Sequence, residues 1–176
     1  NIRYNETPGA SYQDNGFYFQ TYCLANKVFF VDTDFYQIRR DNPNSSVKSI
    51  TKAFVMCDEY EYIENFIKTR TDLPKNVWSI YYLKKYQNYY WRFVNVTKEI
   101  QLSFLKRFSE EMKIGLKKGY ILSPIFSKSH IDKIKILAND YKEFYRLYLI
   151  QNDKTLTYRR DLENWYKRVT KKDLNL

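Results

Sequence analysis

Few side chains in this chain have reactivity to offer: one histidine (His130), two cysteines (Cys23 and Cys57), and the acidic pair Asp32 and Asp34. His130 as a general base would need a hydrogen-bond partner and a pKa near working pH. It falls one turn before Ile134 on an apolar helical stripe, where a histidine buried at the edge of a helix contact is the simpler account. A zinc finger is excluded, because His130 and both cysteines stand at spacings that no common finger uses. Asp32 and Asp34 flank Thr33 between two apolar runs. In a strand they would share a face and could hold a divalent ion, but aspartate is also what a turn wants, and the flanks read as a hairpin. No phosphate-binding glycine loop, H-E-x-x-H or G-x-S-x-G occurs. Glu111-Met112-Lys113 spells a nuclease E-x-K but lies in a helical pattern. No metal and no cofactor are expected, and the chain reads as non-catalytic.

Binding chemistry is better supplied. The chain carries 18 Tyr, 12 Phe and 3 Trp, with 30 Lys+Arg against 20 Asp+Glu. The densest aromatic patch is Tyr81, Tyr82, Tyr86, Tyr89, Tyr90, Trp91 and Phe93, threaded by Lys84, Lys85 and Arg92. Strand alternation puts Tyr89, Trp91 and Phe93 on one face and Tyr90, Arg92 and Val94 on the other. A mixed face of aromatic and cation suits base stacking, with Arg92 adding a cation–π contribution; ordinary cross-strand packing is the structural alternative. The strongest charge feature is Arg159, Arg160, Lys167, Arg168, Lys171 and Lys172. Arg160, Lys167 and Lys171 repeat at seven and four, so they share a helix face, and Glu163 can pair with Lys167. Phosphates are the commonest partner of such a face. The candidate nucleic-acid-binding residues are therefore these six cations with Tyr90 and Arg92.

The elements that must carry these groups follow from pattern. With 176 residues, 44% hydrophobic, the chain suits one domain with a sizeable core. Residues 1–16 read as an extended N-terminal arm. Phe17–Leu24, Lys27–Val31, Phe35–Arg39, Val47–Met56, Val77–Leu83 and Tyr89–Val96 are rich in β-branched and aromatic residues and read as strands. Asp41–Ser46 reads as a loop. Asp58–Thr69 has helical spacing in Tyr62, Ile63, Phe66 and Ile67, with an acidic first turn and Pro74 beyond its end. A second stripe runs through Ile100, Phe104, Leu105, Phe108 and Met112, with Gly119 as its C-cap. A third runs through Ile134, Leu137, Tyr141, Phe144 and Tyr148, opened by Ser129 and Asp132 as a capping box. A last helix is expected over Arg159–Thr170. The expected fold is α+β, a mainly antiparallel sheet in the N-terminal half followed by a C-terminal helical layer. It forms a single domain over 17–176, with an aromatic-rich sheet part at 17–97 and a basic helical part at 98–176.

These features favour a basic nucleic-acid-binding protein or ribonucleoprotein subunit, with RNA as the first partner and DNA the second. The alternative is a secreted or virulence-type interaction domain whose exposed aromatics grip a protein partner. A metal-independent ribonuclease built on His130 ranks third, for want of a second histidine. No run of about 18 apolar residues exists, so no transmembrane segment is expected. An intracellular or organelle setting goes with the first reading. Sequons at Asn5, Asn44 and Asn95 go with the secreted one.

Overall fold

A computed structural model of the chain describes residues 2–7, 11–37, 52–122 and 124–152. The chain divides into two compact units, Asn1–Pro74 and Lys75–Leu176.

In the first unit, α1 (Gln13–Leu24) packs on α2 (Val55–Lys68). Met56, Tyr60, Ile63 and Ile67 recur at steps of three and four and form the buried stripe of α2. Asp58 in its first turn and Lys68 in its last complement the helix dipole, and a Glu64–Lys68 ion pair of 2.7 Å braces the exposed side. Phe19 supplies the apolar contact from α1. The polar contact is Glu59, buried on α2, whose carboxylate accepts the Gly16 N–H at 2.7 Å and the Asn5 side-chain amide at 3.0 Å. A Cβ at Gly16 would meet Glu59 Oε1, so a larger residue there requires the carboxylate to shift. Residues 2–7 are tied down across both helices. The Arg3 carbonyl accepts from Gln20 Nε2 at 2.8 Å and from the Tyr62 hydroxyl at 3.1 Å, and Tyr4 stacks on Phe17 at 4.5 Å. Cys23 and Cys57 are free thiols.

In the second unit, α3 (Val77–Asn95), α5 (Lys128–Asn139), α6 (Tyr141–Asn152) and a 3₁₀ turn (Tyr120–Leu122) all pack on α4 (Lys98–Lys117). Phe104, Leu105, Phe108 and Met112 of α4 are wholly buried and form the centre of the core. Gly119, at φ +72°, takes the left-handed position after the end of α4, which costs a glycine nothing. The Ser127 hydroxyl accepts the His130 N–H at 3.2 Å and opens α5. The Asp140 carboxylate accepts from the Lys142 and Glu143 amides at 2.9 and 3.1 Å, closing α5 and opening α6 on the same residue. Among the described residues no helix is long and apolar enough to cross a membrane.

The expectation of an α+β fold with an antiparallel sheet is overturned. Among the described residues there is no strand. Phe17–Leu24 belongs to α1. Val77–Leu83 and Tyr89–Val96 are joined in the single helix α3, which ends at Asn95. Residues 27–31 and 35–37 have no regular structure and are exposed. Of Val47–Met56, the described part runs from residue 52 through a turn into α2. The physical reason is that aromatic and β-branched enrichment reports a fit to half-buried surface, which a helix face supplies as well as a pleat. The loop at 41–46 and the helix at 159–170 lie outside the described residues. Helices α2 and α4 lie where their stripes place them.

Two outcomes follow for the first unit. Gly16→Ala forces Glu59 to give up a buried hydrogen bond and should cost about 1–3 kcal/mol, read as faster amide exchange in α1 and α2. Burial pushes the Glu59 carboxyl above its ordinary value of 4.5, against the lowering by its bonds to Asn5 and Gly16; Asp14 adds to the rise. The folded state then holds this proton more tightly than the unfolded state. The stabilisation is complete below about 4.5 and is lost as pH rises through the raised value. Amide exchange of α1 and α2, corrected for intrinsic rate, should show protection falling with pH in that window, and Glu59→Gln should flatten the fall.

Candidate functional site

Helix α3 presents two chemically different faces. Val77, Tyr81, Lys85, Tyr89 and Phe93 step by four along its inner side. Lys85 is buried at 3% exposure and pairs with Glu111 of α4. Its ammonium also donates to the Tyr81 hydroxyl at 2.8 Å and lies 5.0 Å from the Tyr81 ring and 5.5 Å from the Tyr89 ring. The Tyr89 hydroxyl donates to Glu111 at 3.0 Å, and Arg107 reaches the other carboxylate oxygen. Tyr86, Tyr89, Phe104 and Phe108 close around this cluster with ring centroids 5.4–5.8 Å apart. Both ends of the ion pair thus have further partners, Tyr81 on the ammonium and Tyr89 and Arg107 on the carboxylate, so the cluster is a brace between two helices.

The outer face of α3 carries Ile80, Lys84, Gln87, Trp91 and Val94, all exposed, at helical steps of three and four. Trp91, 42% exposed, is the aromatic group this face offers to a partner. On α4, Lys106, Lys113 and Lys117 repeat at seven and four on one exposed face, with Glu110 among them and Lys118 just beyond the helix end. None of these four lysines makes an ion pair among the described residues. A row of cations without carboxylate partners at one end of a helix can neutralise a polyanion.

The sequence-predicted residues are distributed differently. Arg159, Arg160, Lys167, Arg168, Lys171 and Lys172 lie outside the described residues. Tyr90 is half-buried beside Phe93 and Tyr86, with ring centroids 6.1 Å away in each case, and burial pushes its phenol up, with Tyr148 adding to the rise. Arg92 is 1% exposed and faces the interior rather than solvent. The alternation that grouped Tyr89, Trp91 and Phe93 on one face is replaced by a helical order, with Tyr89 and Phe93 inside and Trp91 outside. His130 lies at the start of α5, 5.4 Å from the Tyr86 ring, with Nδ1 buried and no hydrogen-bond partner for that atom among the described residues. Asp32 and Asp34 are exposed, and among the described residues no group of three or more His, Cys, Asp or Glu could hold a metal ion. The α4 lysines went unused in the sequence reading, although their seven-and-four spacing is the same signal that singled out Arg160, Lys167 and Lys171.

The chain matches no protein-family model, no curated protein and no solved structure.

Removing Glu111 leaves the Lys85 ammonium buried against two tyrosine rings. Glu111→Ala should destabilise the second unit by about 3–5 kcal/mol, measured as lost amide protection in α3 and α4. Arg107→Ala, which removes only the exposed arm of the cluster, should cost less than about 1 kcal/mol.

Proposed function

We propose that this protein is a non-catalytic nucleic-acid-binding protein, with RNA as its first partner, and that it binds through the basic surface of its second unit. The observation that carries this reading is the segregation of charge. Residues 1–74 hold 8 Lys+Arg against 10 Asp+Glu, a net of −2, whereas residues 75–176 hold 22 against 10, a net of +12. All of the chain's excess positive charge therefore lies in residues 75–176. There it supports an electrostatic attraction to phosphates that is independent of sequence. Lys106, Lys113, Lys117 and Lys118 form one row on that surface, and the cations at 159–172 follow it along the chain. Trp91 offers a stacking platform, with Lys84 and Gln87 on the same helix face.

The second reading, a protein-interaction domain, draws on the exposed apolar residues at 28–36 of the first unit.

Fluorescence anisotropy with short labelled RNA and DNA at two salt concentrations separates the two. Binding should weaken as salt rises, with about 0.9 counterions released per phosphate contact on duplex DNA and about 0.7 on single strands. Replacing Arg160, Lys167, Arg168 and Lys171 together by Ala should weaken binding and flatten the salt slope, and so should Lys113→Ala with Lys117→Ala and Lys118→Ala. Trp91→Ala should cost about 1–3 kcal/mol if a base stacks on it. Absence of binding at low salt, or binding indifferent to both sets, rejects the assignment and promotes the protein partner.

A further inference from the structure

Tyr82, Tyr120 and Trp78 form a ladder of rings that begins in the core of the second unit. Tyr82 of α3 is 4% exposed, and Tyr120 of the 3₁₀ turn stacks on it with centroids 5.7 Å apart. Tyr120 stacks in turn on Trp78, in the first turn of α3, at 5.3 Å and an interplanar angle of 10°. Tyr81 stands edge-on to both Trp78 and Tyr82, at 5.7 and 5.1 Å. Ile121, wholly buried, anchors the turn that carries Tyr120. Tyr120 and Trp78 are partly exposed, and Trp78 is the last ring of the stack among the described residues. The ladder therefore ends in an indole that its neighbours already hold in place, which lowers the ordering cost of any ligand that stacks on it.

Cations approach this ladder along both segments that build it. Lys117 and Lys118, at the end of the α4 row, lead through Gly119 directly into Tyr120, and Lys75 lies just ahead of Trp78. All three lysines are exposed, and none makes an ion pair among the described residues. A polyanion that carries flat aromatic groups satisfies both features at once, its phosphates against the lysines and one of its bases on the indole. Such a base must have a free face. Pairing within a duplex denies it one, because each base there is covered above and below, whereas unpaired bases stack readily on aromatic side chains. Trp91 belongs to the outer face of α3; Trp78 meets the 3₁₀ turn instead, so the two indoles are separate platforms. The geometry points to Trp78 as the platform on which an unpaired base of a single-stranded nucleic acid stacks beside the lysines at the end of α4. This assignment rests on the nucleic-acid reading above and names the form of nucleic acid that the surface takes.

The test is fluorescence anisotropy of the full chain with three labelled probes: oligouridylate, the same strand without its bases, and a long duplex of oligouridylate with oligoadenylate. Trp78→Leu keeps an apolar side chain but removes the π-face. It should weaken oligouridylate binding about tenfold, equivalent to about 1.4 kcal/mol, and leave the abasic strand and the duplex bound as by the wild type. The salt slope for oligouridylate should not change, because no phosphate contact is lost. Trp78→Phe, which retains an aromatic face, should recover most of the affinity. Lys117→Ala with Lys118→Ala should instead weaken all three probes and flatten their salt slopes. A second measurement reads the indole directly. In a chain carrying Trp91→Phe and Trp165→Phe, where Trp78 is the sole indole, oligouridylate should quench the emission and the abasic strand should not. Equal losses on all three probes after Trp78→Leu, with far-UV circular dichroism unchanged, would mark a merely structural role and overturn the inference. Salt-dependent binding that is indifferent to Trp78→Leu, or that leaves the Trp78 emission unquenched, would overturn it while the nucleic-acid reading stands. Absence of binding to every probe at low salt overturns both.

Discussion

A buried ammonium and a carboxylate only 12% exposed, Lys85 and Glu111, set the terms on which the second unit can pack. Taking Lys85 and Glu111 out of water is expensive, and their attraction offsets that cost only when the remaining protons and lone pairs are also satisfied. The chain brings two phenols and a guanidinium to the pair: Tyr81 beside the ammonium, Tyr89 and Arg107 on the carboxylate. Phenylalanine would fill the same space at positions 81 and 89 but would leave the pair short of partners. The demand for groups that are apolar along their length and polar at the tip explains why tyrosine dominates the inner face of α3. The same rings supply cation–π contacts to Lys85, so the packing of the core and the solvation of its charge are one arrangement.

The first unit solves a smaller version of the same problem with a single ionisable group. Glu59 takes its hydrogen bonds from the backbone of α1 and from Asn5 in the N-terminal segment, so one carboxylate organises three pieces of chain. Gln20 repeats the device from α1, reaching back to the Arg3 carbonyl and to its own helix at Gly16. Residues 2–7, within the segment expected to be an extended arm, are thus fixed across α1 and α2 by polar contacts that span up to 59 positions of sequence.

What the sequence disclosed depended on whether a segment carried a periodic stripe together with end signals. Helix α2 has both, through Asp58 at its start and Lys68 at its end, and α4 has Gly119 after it. Helix α3 has the stripe at steps of four from Val77 to Phe93, but Val, Tyr, Trp and Phe are also strand formers. Enrichment in these residue types favours two short strands over the single nineteen-residue helical period. Buried Lys85 and Arg92 deepened the error, because cations on an aromatic run look like an exposed edge until their partners are known. The stripe from Ile134 to Tyr148 was legible as helical but not as two helices; its break rests on the Asp140 side chain, which the sequence shows next to Asn139. The start of α5 is likewise set by Ser127, two residues ahead of the Ser129–Asp132 box. For the candidate site, the α4 lysines were legible by spacing. The inward turn of Arg92 was not, since only the course of α3 decides it.

The partition of the chain also sorts its natural probes. Both cysteines, Cys23 and Cys57, lie in the first unit, and all three tryptophans, at 78, 91 and 165, lie in the second. Cys57 is buried and Cys23 partly accessible, so a thiol-directed acceptor dye placed on Cys23 under native conditions, with indole as the donor, makes the wild-type chain its own energy-transfer ruler. The distance between the two halves, and any change in it when a polyanion arrives, can then be followed without introducing a single new residue.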